Sequence, residues 1–430
     1  MSTIEKLYRV YQEYPEIVTD SRKITKGCLF FALRGSHFDG NAFAEEAINR
    51  GAKYAVVDDP ALNSHSQFIL VEDVLKALQD LAVEHRRTFD IPFIALTGSN
   101  GKTTTKELLR EVLSKRYLVH ATQGNLNNHI GVPLTLLEMK RDTEVAIIEM
   151  GANHIGEIAF LCGLAQPTHG LITNVGKAHL EGFGSFEGVQ KGKGELYRYL
   201  SENEGKIFIQ GDNTHLRQML HGTSQYVVAS YGVQKENNTS GTLKSAVPFL
   251  EIIWEDENLL LKTQITGAYN FDNVLAAVCV GAFFEVNPEQ IKEAIENYKP
   301  VNQRSQIIKT DQNTLIADYY NANPSSMMAA LDNLDKISSE GKAVILGDMY
   351  ELGAESREEH RMILTRAQQM GLKRLILVGE IFKSIGEEEA ECYKNTEEAK
   401  QALGKYPLKD NTVLVKGSRG IALENLVDVL

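Results

Sequence analysis

Cysteine is scarce in this sequence of 430 residues. The four cysteines, at positions 28, 162, 279 and 392, are far apart, and no CxxC pair occurs. This spacing argues against a zinc-finger type of site and against a disulfide framework. It favours reduced thiols, and we therefore expect a cytoplasmic protein.

Long apolar runs are missing as well. The first residues, MSTIEKLYRVYQEYPE, lack the apolar stretch of a secretory signal peptide. The longest apolar run, Val274 to Phe284, covers about 11 residues and is too short to span a bilayer. It predicts a buried helix, and we expect no membrane insertion.

An excess of basic charge is also absent. The chain carries 45 Lys and Arg residues against 57 Asp and Glu residues, which gives a net charge of −12. A general binder of nucleic acid or of anionic membranes would be basic, so neither is expected. An anionic substrate would have to be held by a local basic patch and by backbone N–H groups.

The length and the hydrophobic pattern predict an α/β protein of about three domains, at roughly 150 residues per domain. Residues 1–90 read as a small mixed α/β unit that ends in a linker helix at 77–89. Residues 91–300 read as a central domain with a parallel sheet, and residues 301–430 as a smaller, Rossmann-like domain.

The central sheet is predicted from short apolar runs that alternate with helix-like segments, which is typical of a parallel sheet covered on both faces. These predicted strands lie at 93–98, 145–151, 170–176 and 206–212. Ligands of such sheets bind beyond the carboxyl ends of the strands. A β-rich stretch at 225–265 and two helices complete this domain.

The segment TGSNGKTTTK, residues 97–106, predicts a phosphate-binding loop between a strand and a helix. Gly98 and Gly101 let the backbone bend around phosphate oxygens, and the helix N-terminus favours negative charge. Lys102 can reach the β- and γ-phosphates, and the Thr103 hydroxyl can bind Mg²⁺. Leu96 stands where the longer form of this motif has its first glycine, so the loop is a variant. A coincidental glycine-rich turn is the alternative.

Four further positions are candidates for chemistry. Glu149 ends the next predicted strand, where a carboxylate facing the loop could bind Mg²⁺ directly or through water. His179 follows the third strand in a glycine-rich segment, which favours a catalytic or metal role over a structural one. Lys191 and Lys193 follow, and a lysine near a metal is electrostatically misplaced unless it is neutralised or pairs with phosphate.

Nine segments in order resemble one known family, the ATP-dependent Mur ligases of peptidoglycan synthesis. They are TGSNGKTTT, GNLNNHIGVPLTLL, IIEMGANHIGEI, TNVGKAHLEGFGS, KGKGELY, GAYNFDNVLAA, ADYYNANPSSM, LGDMYELG and VLVKGSRG. The resemblance covers residues 20–420, essentially the whole chain. The YNANP, KGSRG and EMGAN strings resemble the member that adds D-alanyl-D-alanine, and the DNPR string of the diamino-acid-adding member is absent.

The resemblance implies an ATP-dependent amide ligase that forms ADP and phosphate. The γ-phosphate would pass to the terminal carboxylate of UDP-N-acetylmuramoyl-tripeptide, and the amine of D-alanyl-D-alanine would attack the acyl phosphate. The N-terminal domain would hold the UDP end, the central domain ATP and two Mg²⁺ ions, and the C-terminal domain the dipeptide. We expect a monomer acting on small molecules, with a hinge at residues 299–303.

Residue roles carry over from matching motif positions. Thr103, Glu149 and His179 match metal-binding positions, and Lys193 matches a lysine that many members carbamylate. The predicted catalytic residues are Lys102, Glu149, His179 and Lys193. The predicted ATP-binding residues are Gly98, Ser99, Asn100, Gly101, Lys102, Thr103, Thr104, Asn270, Asn273, Arg304 and Asp318. The predicted substrate-binding residues are Ser21, Arg22, Asp39, Asn125, Asn127, Asn128, Tyr320, Asn321, Asn323 and Lys416.

Several positions depart from the family pattern around the adenine site and the hinge. Tyr269 stands where His is common, Ala317 and Tyr319 where Asp and Ser are common, and Asn302 and Gln303 where Gly is usual. The nucleotide contacts are therefore less well predicted than the reaction.

Two other functions remain open from the residues. One is a related amide ligase, either another Mur enzyme or a folylpolyglutamate synthase. A folylpolyglutamate synthase would lack the UDP-holding domain. The other is a nucleotide-sensing protein, which would not need Glu149, His179 and Lys193.

Overall fold

The computed structural model describes residues 3–63, 65–220, 222–301 and 303–430. Its strands form sheets of four, nine and six strands and one two-stranded hairpin. Each of the three large sheets comes from a separate part of the chain, so the predicted α/β class is confirmed. Of the predicted hinge, Asn302 lies outside the described residues.

The N-terminal part holds a parallel sheet of four strands in the order β1-β2-β5-β6, beside the hairpin β3–β4. Its strands are Ile17–Val18 (β1), Leu29–Phe31 (β2), Arg34–Gly35 (β3), Phe38–Asp39 (β4), Tyr54–Val57 (β5) and Phe68–Leu70 (β6). Its helices are Thr3–Glu13 (α1), Ala44–Asn49 (α2) and Val74–Arg86 (α3).

The central part holds nine strands and eight helices among the described residues. The strands are Phe93–Thr97 (β7), Val119–Ala121 (β8), Val145–Glu149 (β9), His169–Ile172 (β10), Lys206–Gln210 (β11), Val227–Gly232 (β12), Thr239–Ser245 (β13), Glu251–Trp254 (β14) and Leu259–Lys262 (β15). The helices are Lys102–Leu113 (α4), Gly131–Leu137 (α5), Glu157–Ala165 (α6), Leu180–Phe183 (α7), Phe186–Glu202 (α8), Thr214–Met219 (α9), Phe271–Phe283 (α10) and Pro288–Asn297 (α11).

The strand order of this sheet, β15-β14-β13-β12-β11-β10-β7-β9-β8, places β7 between β9 and β10. Pairing is parallel from β8 to β13 and antiparallel at β14 and β15. Helices α4, α10 and α11 cover one face, and α5, α6 and α8 cover the other. The carboxyl ends of β9, β7 and β10 therefore meet at one edge of the sheet, where the candidate site lies.

Helix α10 contains the run predicted to be a buried helix except for its last residue, Phe284, and the residues from Val274 to Val280 are buried. Within the parts of the chain that the structure describes, none of the helices combines the length and hydropathy needed to cross a membrane.

Helix α3 lies between the N-terminal and central sheets and overlaps the linker helix predicted at 77–89. It starts at Val74, and its buried face packs in one core with α1, α5 and α6. The Arg86 guanidinium is buried and donates to the carbonyls of Ala165, Gln166 and Phe89 at 2.8–2.9 Å. Helix α3 is thus an integral part of the contact between the N-terminal and central parts.

The C-terminal part holds six strands in the order β16-β17-β21-β18-β19-β20, with β16 antiparallel to its neighbour and the others parallel. The strands are Gln306–Lys309 (β16), Asn313–Ala317 (β17), Lys342–Gly347 (β18), Arg374–Val378 (β19), Glu391–Tyr393 (β20) and Asn411–Lys416 (β21). The helices are Pro324–Lys336 (α12), Ser356–Gln368 (α13), Glu380–Gly386 (α14) and Thr396–Lys405 (α15). An apolar core lies on each face of this sheet, as in a doubly wound fold.

Candidate active site

The glycine-rich loop runs from the end of β7 to the start of α4, as predicted. Gly98 and Gly101 have φ angles of 147° and 79°. A Cβ atom would lie 2.0 Å from Thr173 Oγ1 at Gly98 and 2.4 Å from Asn273 Oδ1 at Gly101. Both the backbone conformation and the close neighbours therefore require glycine at these positions.

Lys102, the first residue of α4, folds over this loop. Its Nζ donates to the carbonyl of Gly98 at 2.6 Å and approaches that of Ser99 at 3.4 Å. Burial lowers the pKa of Lys102 to about 8, an effect that Arg304 reinforces and Glu149 opposes. An anionic phosphate beside this ammonium would raise its pKa again, so the charge on Lys102 responds to what the loop binds.

Glu149 reaches the loop because its strand, β9, pairs with β7 in a register that sets Glu149 opposite Leu96. Its buried carboxylate accepts a hydrogen bond from Thr103 Oγ1 at 2.9 Å and one from Asn127 Nδ2 at 2.8 Å. The structure thus joins two of the predicted metal-binding residues directly. It also shows that Asn127 orients the carboxylate.

Lys106 is a site residue that the sequence reasoning missed. Its side chain is fully buried, and its Nζ lies 3.9 Å from Glu149 Oε2 and 3.0 Å from Glu107 Oε1. It also donates to the carbonyl of Thr122 at 2.6 Å. The available signal was its position one helical turn after Lys102, because residues four apart share a helix face.

His179 lies after β10, in the left-handed conformation with φ of 52°. Its Nδ1 pairs with the carboxylate of Glu351 from the C-terminal part, and this hydrogen bond lowers the pKa of Glu351. No three His, Cys, Asp or Glu side chains come together as a metal site within the described ranges. The structure therefore joins Thr103 to Glu149, while His179 is joined to Glu351.

Lys193 lies on α8 with its side chain 1% exposed. Its Nζ donates to the carbonyl of Ala152 at 3.0 Å, and no ion pair within 4.0 Å involves it among the described residues. Burial lowers its pKa well below the ordinary value, and the charge of Lys102 lowers it further. The nearby Glu195 instead accepts the N–H groups of Gly156 and Ala159, at 2.7 and 2.9 Å.

The two asparagines predicted to contact adenine lie at the start of α10. Asn273 Nδ2 donates to Asn270 Oδ1 at 2.9 Å, and Asn270 Nδ2 donates to the carbonyl of Thr266 at 2.8 Å. Thr105 Oγ1, on α4, donates to Asn273 Oδ1 at 3.2 Å. This network fixes both amides beside the glycine-rich loop.

A polar chain connects the central and C-terminal parts at the predicted hinge. The buried Tyr269 hydroxyl bonds Ser305 Oγ at 2.6 Å, and the Ser305 N–H donates to Asp318 Oδ1 at 3.1 Å. Lys416 Nζ donates to Asp318 Oδ2 at 2.5 Å. Tyr269, a departure from the family pattern, thus takes part in the domain contact, whereas Ala317 and Tyr319 are packed in the C-terminal core.

The Asn323 side chain caps α12 and also reaches the glycine-rich loop. Its Nδ2 donates to Asn100 Oδ1 at 2.8 Å, and Asn100 Nδ2 donates to Ser325 Oγ at 2.9 Å. Lys177 Nζ lies 2.7 Å from Glu359 Oε1. These contacts hold the C-terminal part against the loop.

These elements enclose a cavity of about 990 Å³ between the central and C-terminal parts, with Gln79 of α3 also on its wall. The predicted residues that line it are Ser99, Asn100, Gly101, Lys102, Thr104, Asn125, Asn127, Asn128, Glu149, His179, Asn270, Asn273, Arg304, Asp318, Tyr320, Asn321, Asn323 and Lys416. Gly98, Thr103 and Lys193 lie outside the lining. Wall residues that were not predicted include Ile155, Phe160 and Asn174.

The three predicted residues of the N-terminal part do not line this cavity. Arg22, with a side chain 85% exposed, pairs with Asp20 at 2.9 Å beside Ser21. Asp39 accepts hydrogen bonds from the backbone and the side chain of Asn41 at 2.9 and 2.8 Å. Ser21 and Arg22 lie in a short 3-10 turn, and Asp39 lies in strand β4 of the hairpin.

Models of one family match three segments of the chain. They are described as the Mur ligase family catalytic domain at residues 13–86, the Mur ligase middle domain at 96–281 and the Mur ligase glutamate ligase domain at 303–419. The UDP-N-acetylmuramoyl-tripeptide–D-alanyl-D-alanine ligase of Bacillus subtilis strain 168 is 35% identical, over 96% of this chain and 92% of that protein. The chain belongs to the Mur ligase family. The family predicted from the motifs is confirmed.

Solved structures of Mur ligases share the whole architecture. A crystal structure of MurF from Acinetobacter baumannii has a TM-score of 0.87 at 29% identity, over 99% of this chain and 97% of that one. MurF ligase from Thermotoga maritima in complex with ADP has a TM-score of 0.83 at 26% identity, over 96% of both chains. The three-domain Mur ligase architecture is therefore confirmed.

Proposed function

We propose that this chain is an ATP-dependent ligase that joins D-alanyl-D-alanine to the terminal carboxylate of UDP-N-acetylmuramoyl-tripeptide. The product would be the pentapeptide precursor of peptidoglycan. The observation that carries the proposal is the cavity in which a phosphate-binding loop, a buried carboxylate and the amide-rich wall of the C-terminal part face one another. The names of the relatives supply the substrates.

In this proposal ATP binds along the loop and the start of α10. Gly98 to Thr104 would hold the phosphates, with Lys102 beside the transferred group. Asn270 and Asn273, held together at 2.9 Å, would contact adenine. Arg304 and Asp318 line the same cavity and would contact a phosphate and the ribose.

The donor set near the loop fits a magnesium ion. The Thr103 hydroxyl and the Glu149 carboxylate lie 2.9 Å apart, and both are oxygen donors of the kind that Mg²⁺ prefers. We propose that these residues and His179 hold Mg²⁺, two ions in all. Bound Mg²⁺ would offset the repulsion between ATP and the substrate carboxylate.

A carbamate on Lys193 is part of the same proposal. Its buried amine has a strongly lowered pKa and no carboxylate partner within 4.0 Å among the described residues, so its neutral form is favoured. A neutral amine can add carbon dioxide with release of one proton, and the resulting carbamate anion would add an oxygen ligand to the proposed metal site. Lys102 would lie close enough to stabilise that negative charge.

The peptide substrates would bind on the amide-rich walls. Asn125, Asn127 and Asn128 would face the tripeptide, with Glu149 as their neighbour, and an amide can both donate to and accept from a peptide. The C-terminal wall would face the dipeptide through Tyr320, Asn321, Asn323 and Lys416.

The three parts of the chain would divide the work, with the UDP end on residues 1–90, ATP on 91–300 and the dipeptide on 301–430. Ser21, Arg22 and Asp39 would contact the UDP end, outside the main cavity. We propose that the enzyme acts as a cytoplasmic monomer.

The deciding experiment measures phosphate release from ATP with UDP-N-acetylmuramoyl-tripeptide, with and without D-alanyl-D-alanine. We expect strong release only when both are present, together with a pentapeptide product by mass spectrometry. Phosphate release with another amine instead of the dipeptide would assign a different Mur ligase activity to the chain. No stimulation by any precursor would contradict the ligase function.

A further inference from the structure

The segment Lys416–Arg419, at the end of β21, carries two cations. The Lys416 side chain is buried, and its Nζ donates to Asp318 Oδ2 at 2.5 Å and approaches the Asn321 carbonyl at 3.3 Å. The charge of Lys416 is therefore balanced inside the C-terminal part. The second cation, Arg419, has a different environment.

Arg419 is exposed and lies three residues further, in a short 3-10 turn. Its guanidinium approaches the Tyr320 hydroxyl at 3.5 Å, with the central carbon 5.3 Å from the ring centroid. Among the residues that the structure describes, no ion pair within 4.0 Å includes Arg419. It is a cation beside a residue of the cavity wall, without a protein carboxylate of its own.

The turn that carries Arg419 is held by its neighbours. Ser418 Oγ accepts the N–H of Tyr350 at 3.0 Å. A Cβ at Gly420 would lie 2.7 Å from the Tyr350 ring, so the backbone is packed directly against that ring. The start of the Arg419 side chain is therefore fixed, while its charged end is free to meet a ligand.

A second arginine, Arg304, lies close to the Tyr320 ring. The central carbon of Arg304 lies 4.0 Å from the centroid of the Tyr320 ring, and Arg304 lines the cavity itself. Arg304 and Lys102 already provide cations for the phosphates. Arg419 is thus available for a different anion.

The incoming dipeptide has such an anion at the end that does not react. Its amine must reach the activated carboxyl group, and an extended dipeptide places its carboxylate about 7 Å away, at roughly 3.3–3.6 Å per residue. A guanidinium matches a carboxylate with two parallel hydrogen bonds, which a lysine cannot reproduce. We propose that Arg419 binds the C-terminal carboxylate of the dipeptide and makes the enzyme select a free acid; this inference rests on the proposed function.

The test compares D-alanyl-D-alanine with D-alanyl-D-alaninamide, which lacks the negative charge, in the full-length enzyme. We expect the wild type to show a kcat/KM roughly tenfold or more lower for the amide, as for a lost charge-assisted hydrogen bond. Arg419→Gln should lower kcat/KM for the acid by a similar factor and treat acid and amide alike. The KM for ATP and for the UDP precursor should stay unchanged.

Three further variants sharpen the test. Arg419→Lys should recover only part of the preference for the acid over the amide. If Arg419→Gln has a lowered melting temperature, Arg419→Lys takes its place in the comparison. Arg357→Gln, an exposed arginine of α13, should behave as the wild type. Arg304→Gln should instead raise the KM for ATP.

Two results would overturn the inference while leaving the proposed function intact. One is an unchanged preference for the acid in Arg419→Gln, and the other is a wild type that uses acid and amide equally well. An equal rise of the KM for ATP in Arg419→Gln would assign Arg419 to the nucleotide instead. A wild type inactive with the dipeptide but active with another amine would reject the function, and the inference with it.

Discussion

Two lysines of the site, the half-buried Lys102 and the buried Lys193, differ in what surrounds the amine. Lys102 lies over the loop carbonyls, where burial lowers its pKa to about 8, and an arriving phosphate would raise this pKa again. Lys193 has the carbonyl of Ala152 within reach at 3.0 Å, and burial and the charge of Lys102 lower its pKa much further. Lys102 is suited to bind an anion, and Lys193 is suited to react to form a carbamate, which is itself an anion.

Replacing Lys193 by alanine should therefore lower the ligase rate by roughly 100-fold, the upper range for loss of a group that supports a metal site. A short carboxylic acid such as acetate should restore part of the activity, because it can supply an oxygen ligand where the carbamate was. Phosphate release at saturating substrates measures both effects. Lys191→Ala, at an exposed position two residues earlier, is the matched control and should keep full activity.

Full activity in Lys193→Ala would contradict the carbamate. A second combination of results would also contradict it. In that case the variant is folded but inactive with every carboxylic acid tried, and the wild type supplied with labelled bicarbonate shows no carbon NMR signal of a carbamate.

The position of Glu149 could be predicted from the sequence, whereas the partner of His179 could not. A carboxylate at the end of a strand next to the loop strand must meet the loop, because parallel strands end at one edge. The partner of His179 is Glu351, 172 residues away in another domain. Nothing in a local pattern indicates how two domains are placed against each other.

At the scale of elements, α3 shows how one buried side chain fastens two domains together. The Arg86 guanidinium stacks 3.5 Å above the centroid of the Phe93 ring and donates to Ala165 and Gln166, at the end of α6. A cation at a helix C-terminus is favoured by the helix dipole. Burial lowers the pKa of Arg86 to about 10, which leaves it charged at neutral pH.

Arg86→Met should destabilise the contact between α3 and α6 by about 2–4 kcal/mol, because three carbonyls lose a charged donor inside the protein. We expect the first thermal transition to fall by roughly 5 °C or more. Arg87→Met, at the exposed neighbouring position, should change it little. Calorimetry measures these transitions. Equally small shifts of the transition temperature in both variants would show that Arg86 does not join the domains.

The strands that position the site were the most predictable elements. Strands β7, β9, β10 and β11 are continuous apolar runs, because both faces of this sheet are covered by helices. Strand β8 was missed because it has only three residues, one of them His120. The packing of α3 could not be predicted, because an amphipathic pattern shows that one face is buried and does not show which domain buries it.

At the scale of the whole molecule, the cavity is bounded by contacts between domains. Asn100 bonds Asn323 and Ser325, His179 pairs with Glu351, and Lys177 lies 2.7 Å from Glu359 and 3.2 Å from Glu355. These contacts are few and polar, which is typical of domains that move relative to each other. At the predicted hinge, Gln303 and Ser305 have φ angles of 58° and 52°, an uncommon conformation for residues other than glycine. We therefore expect this segment to bend when substrates enter and products leave.

Lys177→Glu should open the molecule. The side chain of Glu359 is 3% exposed, so the reversal removes its partner and places a like charge beside it. A cost of about 1 kcal/mol or more would lower the ratio of closed to open molecules roughly fivefold. Small-angle X-ray scattering should show the wild type becoming more compact with an ATP analogue and UDP precursor, and the variant contracting less. Lys235→Glu makes the same charge change at an exposed position of the central domain and should contract as the wild type does. If the wild type keeps one shape with and without these ligands, closure is not part of the cycle.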